Sequence, residues 1–379
     1  MAPEYKIRVY TPAGVMVAEF SDPAYISYTK QVNAAGNLRL RVNATHNAYQ
    51  YLVVDKAQIQ VLRQNLNIGT DALGNIVTMP WVVDFYGLAR DPDEQQLADG
   101  TDVATFDCPG VLSMLSWRYV MWAAGTASRS TFTSVKAETL MKLLVQYNIT
   151  ASATTAAGRK ADGTMTSPCS ITLQTDGLAG NTLGAWANAW NNLLEDLQKI
   201  AKVAGGDFDL VQTAPAVYEF RWYLQQRGTD RRTAPNSLTF STKNGNMSEP
   251  RLQRTRSRVR TSAVVAGAGE GSLRATTNRT GNGFSSSNNI EMFVDARNLE
   301  SGASLTAEGD SRLAENKLME RLSFNVRQQP SCYYGKHYNV GDLVNVAYKT
   351  YAATHKIIRV AVGWDTAGET VDIETEVWP

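Results

Sequence analysis

Apolar and polar residues alternate from the start of the chain. Tyr5, Ile7 and Val9 are interleaved with Lys6, Arg8 and Tyr10, so a strand there would turn one face to a core and the other to water. Thr11, Pro12, Ala13 and Gly14 supply turn chemistry before a second apolar run at 15–20, which predicts an opening hairpin. The same period returns where Leu38, Leu40 and Val42 alternate with Arg39, Arg41 and Asn43, and strand-like runs follow at 57–63 and 80–88, divided by a polar loop at 65–78. Asp91, Asp93 and Glu94, in D-P-D-E, read as a solvated turn. Many short strands with turn residues between them predict a small barrel or sandwich.

Helical spacing enters after this region. Pro109 suits the first turn of a short helix carrying Val111, Leu112 and Leu115, since its missing N–H costs nothing there. Leu140, Met141, Leu143, Leu144 and Tyr147 form an apolar stripe with Ser134 as its expected cap. Residues 149–180 are rich in Ala, Thr, Ser and Gly and predict a long loop with one strand at 170–174. Trp186, Trp190, Leu193, Leu194, Leu197 and Ile200 then recur at three- and four-residue spacing, predicting one amphipathic helix over 182–204 that packs its tryptophans into a core and stops at Gly205-Gly206. Strands at 208–212 and 217–225 read as a hairpin turning at Ala214-Pro215. Later come an exposed, mobile polar loop at 276–289, a helix at about 306–322 with Thr306 as cap and Ala314, Leu318 and Leu322 on one face, and strands at 324–327, 343–348, 356–365 and 371–377.

Between these halves lies a stretch of different character, 251–274. Arg254, Arg256, Arg258 and Arg260 are spaced by two and on one continuous strand would share a face. An apolar run, 263–266, follows, and then Gly267, Gly269 and Gly271, where the backbone is free to bend. The stretch is expected to join the two halves of the molecule.

Composition narrows the functional classes. The 379 residues leave room for two or three domains, and 37 Lys and Arg against 36 Asp and Glu give a formal net charge of +1. A molecule without a net field does not hold a polyanion as a whole, so any nucleic-acid contact would be local. No signal-peptide pattern and no run of eighteen apolar residues occurs, so neither export nor a membrane-spanning segment is expected. Cys108, Cys169 and Cys332 lack metal-ligand or disulfide-framework spacing and are expected as buried thiols.

Candidate chemistry changes the picture little. His46, His337 and His355 lack a partner at nucleophile-activating or metal-binding spacing, and no cofactor is implied. Glu195 and Asp196 fit a solvated helix face better than paired glycosidase carboxylates. The glycine cluster lacks the Lys-Ser/Thr pair of a phosphate loop and carries the acidic Glu270, so a structural bend is the better account. Two readings of the four arginines stay open: a track for phosphates, or a seam in which they pair with carboxylates across a domain or subunit boundary; the overall charge favours the seam.

The sequence V-A-G-A-G-E-G followed by Arg274, then F-V-D-A-R-N-L, V-G-D-L-V-N-V and the closing I-I-R-V-A-V-G-W-D, resembles the tail hub, or minor tail, proteins of long-tailed bacteriophages. G-N-L-R-L-R-V, G-L-A-R-D, F-D-C-P-G-V-L and A-W-A-N-A-W-N-N-L-L-E-D-L agree in order upstream. The resemblance implies a β-rich α+β chain with two tube-protein-like β-barrel domains and a helical insertion: 1–108 as the first barrel, 109–206 as the insertion, 207–262 as returning strands, and 263–379 as the second barrel. It implies a non-enzymatic homotrimer at the tail tip that matches a six-fold tube to a three-fold tip. The implied partners are the tail tube or distal tail protein, the tape-measure protein and tail-tip spike or receptor-binding proteins, with DNA passing through without sequence recognition. Assembly in the host cytoplasm is expected. The alternative is a cell-wall glycan hydrolase or carbohydrate-binding module of the tail tip.

Overall fold

The computed structural model describes residues 3–65, 77–122, 130–165, 169–297, 299 and 302–378. Most of the polar loop expected at 65–78 lies outside them. The first half is strand-built, as its alternation predicts: β1 (Glu4–Tyr10), β2 (Met16–Phe20), β3 (Tyr25–Gln31), β4 (Ala34–Asn43), a short α1 (Tyr49–Leu52), β5 (Gln58–Gln64), β6 (Val82–Leu88), β7 (Asp91–Gln96) and β8 (Asp102–Pro109). A 3-10 turn, Val111–Trp117, follows Pro109. Next come β9 (Ser130–Lys136), α2 (Ala137–Asn148), β10 (Ser170–Leu173), β11 (Thr182–Asn188), α3 (Leu193–Ala204), β12 (Asp207–Ala214) and β13 (Val217–Tyr223). The last part carries β14 (Thr239–Ser241), β15 (Met247–Thr255), β16 (Ser262–Ala266), β17 (Thr276–Thr280), β18 (Glu291–Asp295), α4 (Gly302–Glu315), β19 (Met319–Val326), β20 (Leu343–Tyr348), β21 (Tyr351–Asp365) and β22 (Gly368–Val377).

Two β-rich ends with helical material between them are present; β1, β2, β5 and β6 make a four-stranded sheet in the order β2-β1-β5-β6, while the other N-terminal strands share a sheet with the C-terminal ones. A ten-stranded sheet runs in the order β15-β19-β22-β21-β3-β4-β8-β7, with β20 also on β21 and β14 on β20. The fifteen-residue strand β21 is the bridge: its first part pairs with β20 and its second part with β3, while β22 lines its other edge. No barrel closes among the described residues, since this sheet ends in free edges at β15 and β7. One core therefore takes Ile7, Tyr28 and Phe106 from one end and Phe240, Tyr338 and Val360 from the other. Backbone pairing and shared apolar burial thus join the halves at β21, not at 251–274.

The insertion has its own core. Leu140, Met141 and Leu144 of α2 meet Leu197 and Ile200 of α3 and Phe208, Tyr218 and Phe220 of β12 and β13. A smaller unit, the sheet β17-β16-β18 covered by α4, encloses Val265, Val294, Leu305 and Leu313.

Several local expectations are corrected here. The helix predicted over 182–204 is a strand followed by a helix. Leu183 and Trp186 of β11 pair with Val135 and Phe132 of β9, and Gly184 weakens any helix there. The helix begins only where the Asn192 side chain accepts from the Leu194 and Glu195 backbone N–H groups, and Gly205 ends it at φ 69°. Trp186 is half-buried, while Trp190 is exposed and sits edge-on to Trp122. Ser134 caps nothing; it lies within β9, and α2 receives its first acceptors from the Asn181 and Ala179 carbonyls. The helix expected at 306–322 runs instead from Gly302 to Glu315, because Leu322, Phe324 and Val326 follow a two-residue period and are buried in β19. The D-P-D-E segment is strand β7, and β17 occupies part of the loop expected at 276–289.

Candidate functional site

The arginines of 251–274 do not share a strand face. β15 ends at Thr255, so Arg254 lies in the sheet while residues 256–260 turn, with the Val259 N–H donating to the Arg256 carbonyl at 3.0 Å. Arg254 stands opposite Glu320 in the register and donates to it at 2.5 Å, its guanidinium over the Tyr351 ring. Arg260 donates to the Ser257 and Val259 carbonyls and so braces its own turn. Arg251, Arg256 and Arg258 are exposed and form no ion pair among the described residues. The two-residue spacing that suggested a ladder is cut by Ser257, which sits in the turn.

The glycines form the return between β16 and β17. Gly269 adopts φ 107° and Gly271 φ 55°, conformations that a side chain resists. A Cβ on Gly267 would stand 2.8 Å from the Leu299 carbonyl, so close approach of the chain requires glycine there. Arg274 closes the loop by donating to the Gly267 and Ala266 carbonyls at 2.8 and 2.9 Å and pairing with Asp295. No helix follows whose N-terminus could receive a phosphate: Gly271–Leu273 is a single 3-10 turn.

A charged seam does exist, in a place the sequence did not suggest. Arg63 on β5 and Glu369 on β22 are 3% and 4% exposed, and the guanidinium donates to both carboxylate oxygens at 2.6 and 2.8 Å. Arg63 also donates to the Tyr334 carbonyl at 3.1 Å, and Tyr5 adds its hydroxyl to Glu369. Nearby, Lys30 on β3 donates to Asp84 on β6 at 2.6 Å, and Asp84 accepts from the hydroxyls of Tyr28 and Tyr334. Burial works against the charge of Arg63, yet the Glu369 bond and charge raise its pKa above the ordinary value. Burial likewise opposes ionisation of Asp84, but the charge of Lys30 and its hydrogen bond lower its pKa. Burial above all, with these carboxylates adding to it, pushes the Tyr5, Tyr28 and Tyr334 hydroxyls well up, so they stay protonated donors. Tyr5, Tyr28, Lys30, Arg63 and Asp84 come from the first half of the chain, and Tyr334 and Glu369 from the last part. The network fixes how the ends meet, with low-dielectric pairs that tolerate little misalignment.

A second seam docks the insertion. Asp207, 1% exposed at the start of β12, accepts from Lys356 of β21 at 2.6 Å, from the Arg227 N–H at 2.8 Å and from the Asn33 amide at 3.2 Å. Arg231 donates to the buried Asp342 at 2.5 Å, and Arg227 reaches Asp209 at 2.9 Å. Gln58 of β5 accepts from Tyr218 of β13 at 2.7 Å. The three parts enclose a polar cleft of about 470 Å³ lined by Lys30, Asp84, Asp209, Arg227, Arg231 and Asp342, whose charges are taken up by these pairs.

The remaining candidate groups are held in structural contacts. His355 is buried between the Tyr351 hydroxyl at 2.7 Å and the Thr375 hydroxyl at 2.9 Å, and burial lowers its pKa to about 4, leaving a neutral ring at pH 7. His337 Nδ1 accepts from the Tyr333 N–H at 2.8 Å, and His46 touches the exposed Asp22 at 3.3 Å. The three cysteines are buried and unpaired, and burial raises each thiol, Cys332 to about 12. Asp196 is inward, not solvated as expected, and burial raises its pKa to about 6. Among the described residues no group of three His, Cys, Asp or Glu side chains is arranged to hold a metal, and no helix is long and apolar enough to cross a membrane.

A family model described as Siphovirus ReqiPepy6 Gp37-like protein matches residues 6–375. No curated protein matches the sequence. The fold is similar to that of the 43 kDa tail protein of prophage MuSo2 from Shewanella oneidensis, with 14% identity, a TM-score of 0.55, and coverage of 98% of this chain and 97% of that one. The tail protein from Neisseria meningitidis MC58 gives 10% identity, a TM-score of 0.57, and coverage of 99% and 97%. Prophage tail protein gp18 from Listeria monocytogenes EGD-e gives 9%, 0.54, and coverage of 98% and 94%. At these identities the likeness is one of fold.

Proposed function

This chain belongs to the siphovirus ReqiPepy6 Gp37-like family, and on that premise we propose that it is a structural protein of the phage tail tip, a hub that assembles as a three-fold ring around the channel. The observation that carries this reading is the pair of strand-rich ends held together by the β3–β21 ladder, by the buried Arg63–Glu369 pair and by the Tyr334 hydroxyl on Asp84. In this reading each copy contributes two tube-like units, one from each strand-rich end. Three copies would offer six to a six-fold tube while showing three-fold symmetry to the tip. Its neighbours in this reading are the tube or distal tail protein, the tape-measure protein and the spike or receptor-binding proteins, and DNA passes along the channel without being read. Among the described residues His355 is neutral and enclosed, and the buried carboxylates Asp84, Glu369, Asp207 and Asp342 are each tied to a cation, while Asp196 lies inward on α3 and accepts from Asn191. The role proposed is therefore assembly and not catalysis.

Gold-labelled antibody fragments raised against the chain test this placement. They are expected to decorate the end of the tail distal to the capsid in electron micrographs of intact particles. Labelling along the tube, on the capsid or on no part of the particle contradicts it.

A further inference from the structure

We propose that the ring closes head to tail, by strand β7 of one copy docking on strand β15 of the next; this rests on the ring reading above and adds the surfaces that make it. The observation is a pair of free edges with opposite charge on one open sheet. β7 and β15 end the main path of the ten-stranded sheet, whose side branch ends in the three-residue β14, and each is paired on one side only among the described residues.

β7 is an odd strand by every local criterion. Its sequence, Asp91-Pro92-Asp93-Glu94-Gln95-Gln96, is made of residues depleted in strands, and all six are exposed, so it buries nothing within its own chain. It keeps its form only through its ladder to β8. Asp91 and Asp93 have no cationic partner among the described residues, and Glu94 meets only the Tyr49 hydroxyl. At the other end, β15 presents Arg251 and Gln253 beside the half-buried Leu252, and the turn after it adds Arg256 and Arg258. A protein that only needed to blunt its edges against aggregation could do so with one sign of charge at both ends. Opposite signs do more: they oppose β7 on β7 and β15 on β15, and favour β7 on β15.

The geometry is heterologous, with different patches on the two sides of each interface, which is the arrangement that generates rings. Docking there would carry the sheet from copy to copy and supply carboxylates to the arginines that lack them. Pro92 and the irregular pairing of β15 around Glu249 and Pro250 confine backbone pairing to short stretches, 93–96 and 251–255, so side-chain charge sets much of the preference. The acidic edge strand β18 is the rival partner for β15, but its Asp295 is already held by Arg274 and Arg297.

Sedimentation of the purified full-length protein over a range of concentrations, at low salt, tests the proposal with four sets of substitutions. Asp91→Lys with Asp93→Lys, and separately Arg251→Glu with Arg256→Glu, are expected to raise the concentration needed for assembly about tenfold or more. All four together are expected to return it to within about threefold of the unmodified protein, which also shows that the substituted edges fold. Glu291→Lys on β18 is expected to leave assembly unchanged. Assembly indifferent to the β7 reversals, a fourfold variant that stays as weak as the worse pair, or a loss caused by Glu291→Lys overturns the β7–β15 contact while leaving the ring standing. An unmodified protein that is monomeric throughout overturns the ring itself.

Discussion

Replacing Glu369 with alanine is expected to lower the stability of the chain by about 3–5 kcal/mol, because it strands the Arg63 guanidinium at 3% exposure with its charge uncompensated. With an unfolding entropy of about 2 cal/mol/K per residue, that loss lowers Tm by roughly 4–6 °C in a chain of 379 residues. Arg63→Ala is expected to cost a similar amount, since it leaves the Glu369 carboxylate with the Tyr5 hydroxyl alone among the partners described. The pair removed together as Arg63→Ala with Glu369→Ala should cost less than the sum of the singles, because the double variant leaves neither ion buried without its partner. Calorimetry of the four proteins gives the coupling directly. Additive losses would mean that the two charges do not act as a pair and that the ends are held by apolar burial alone.

Lys356→Ala is expected to loosen the insertion from the body. Asp207 keeps the Arg227 N–H and the Asn33 amide but loses the one cation it has among the described residues, at 1% exposure, so the cost is set at about 2–3 kcal/mol. Hydrogen exchange should localise the change to residues 207–231 and β21, with β1, β5 and β8 unaffected. Protection lost evenly over the chain would show that Lys356 does not act through its contact with Asp207.

The parts of this fold that were legible in the sequence are those in which one face of a strand is buried and the other is wet. β1, β4 and β13 follow their alternation closely. Failure came where tertiary pairing overrides a helical period. Trp186 and Leu193 stand at helical spacing, but the ladder from β11 to β9 takes the first and Asn192 starts a helix at the second. The signal was present: an Asn with a Glu three residues on, at Asn192 and Glu195, marks a helix start inside the run. The same holds for Leu322, Phe324 and Val326, whose two-residue period was hidden beside α4.

The seam was beyond the sequence for a different reason. Arg63 and Glu369 are 306 positions apart, and nothing local distinguishes Arg63, in Q-V-L-R-Q, from a solvated strand residue. Only the β3–β21 pairing brings the ends together and turns an ordinary arginine into a buried one. The arginines that did look distinctive, by contrast, divide between an in-sheet pair at Arg254, a braced turn at Arg260, and the exposed Arg251, Arg256 and Arg258. Their even spacing carried less information than the fact that the strand stops at Thr255.

The central claim, a three-fold hub, meets its most direct test in the native mass of the purified protein. The account predicts a dominant species at three times the 41.5 kDa of the chain, persisting as the protein is diluted through the micromolar range. A monomer at every concentration, or an even-numbered closed assembly, would contradict it.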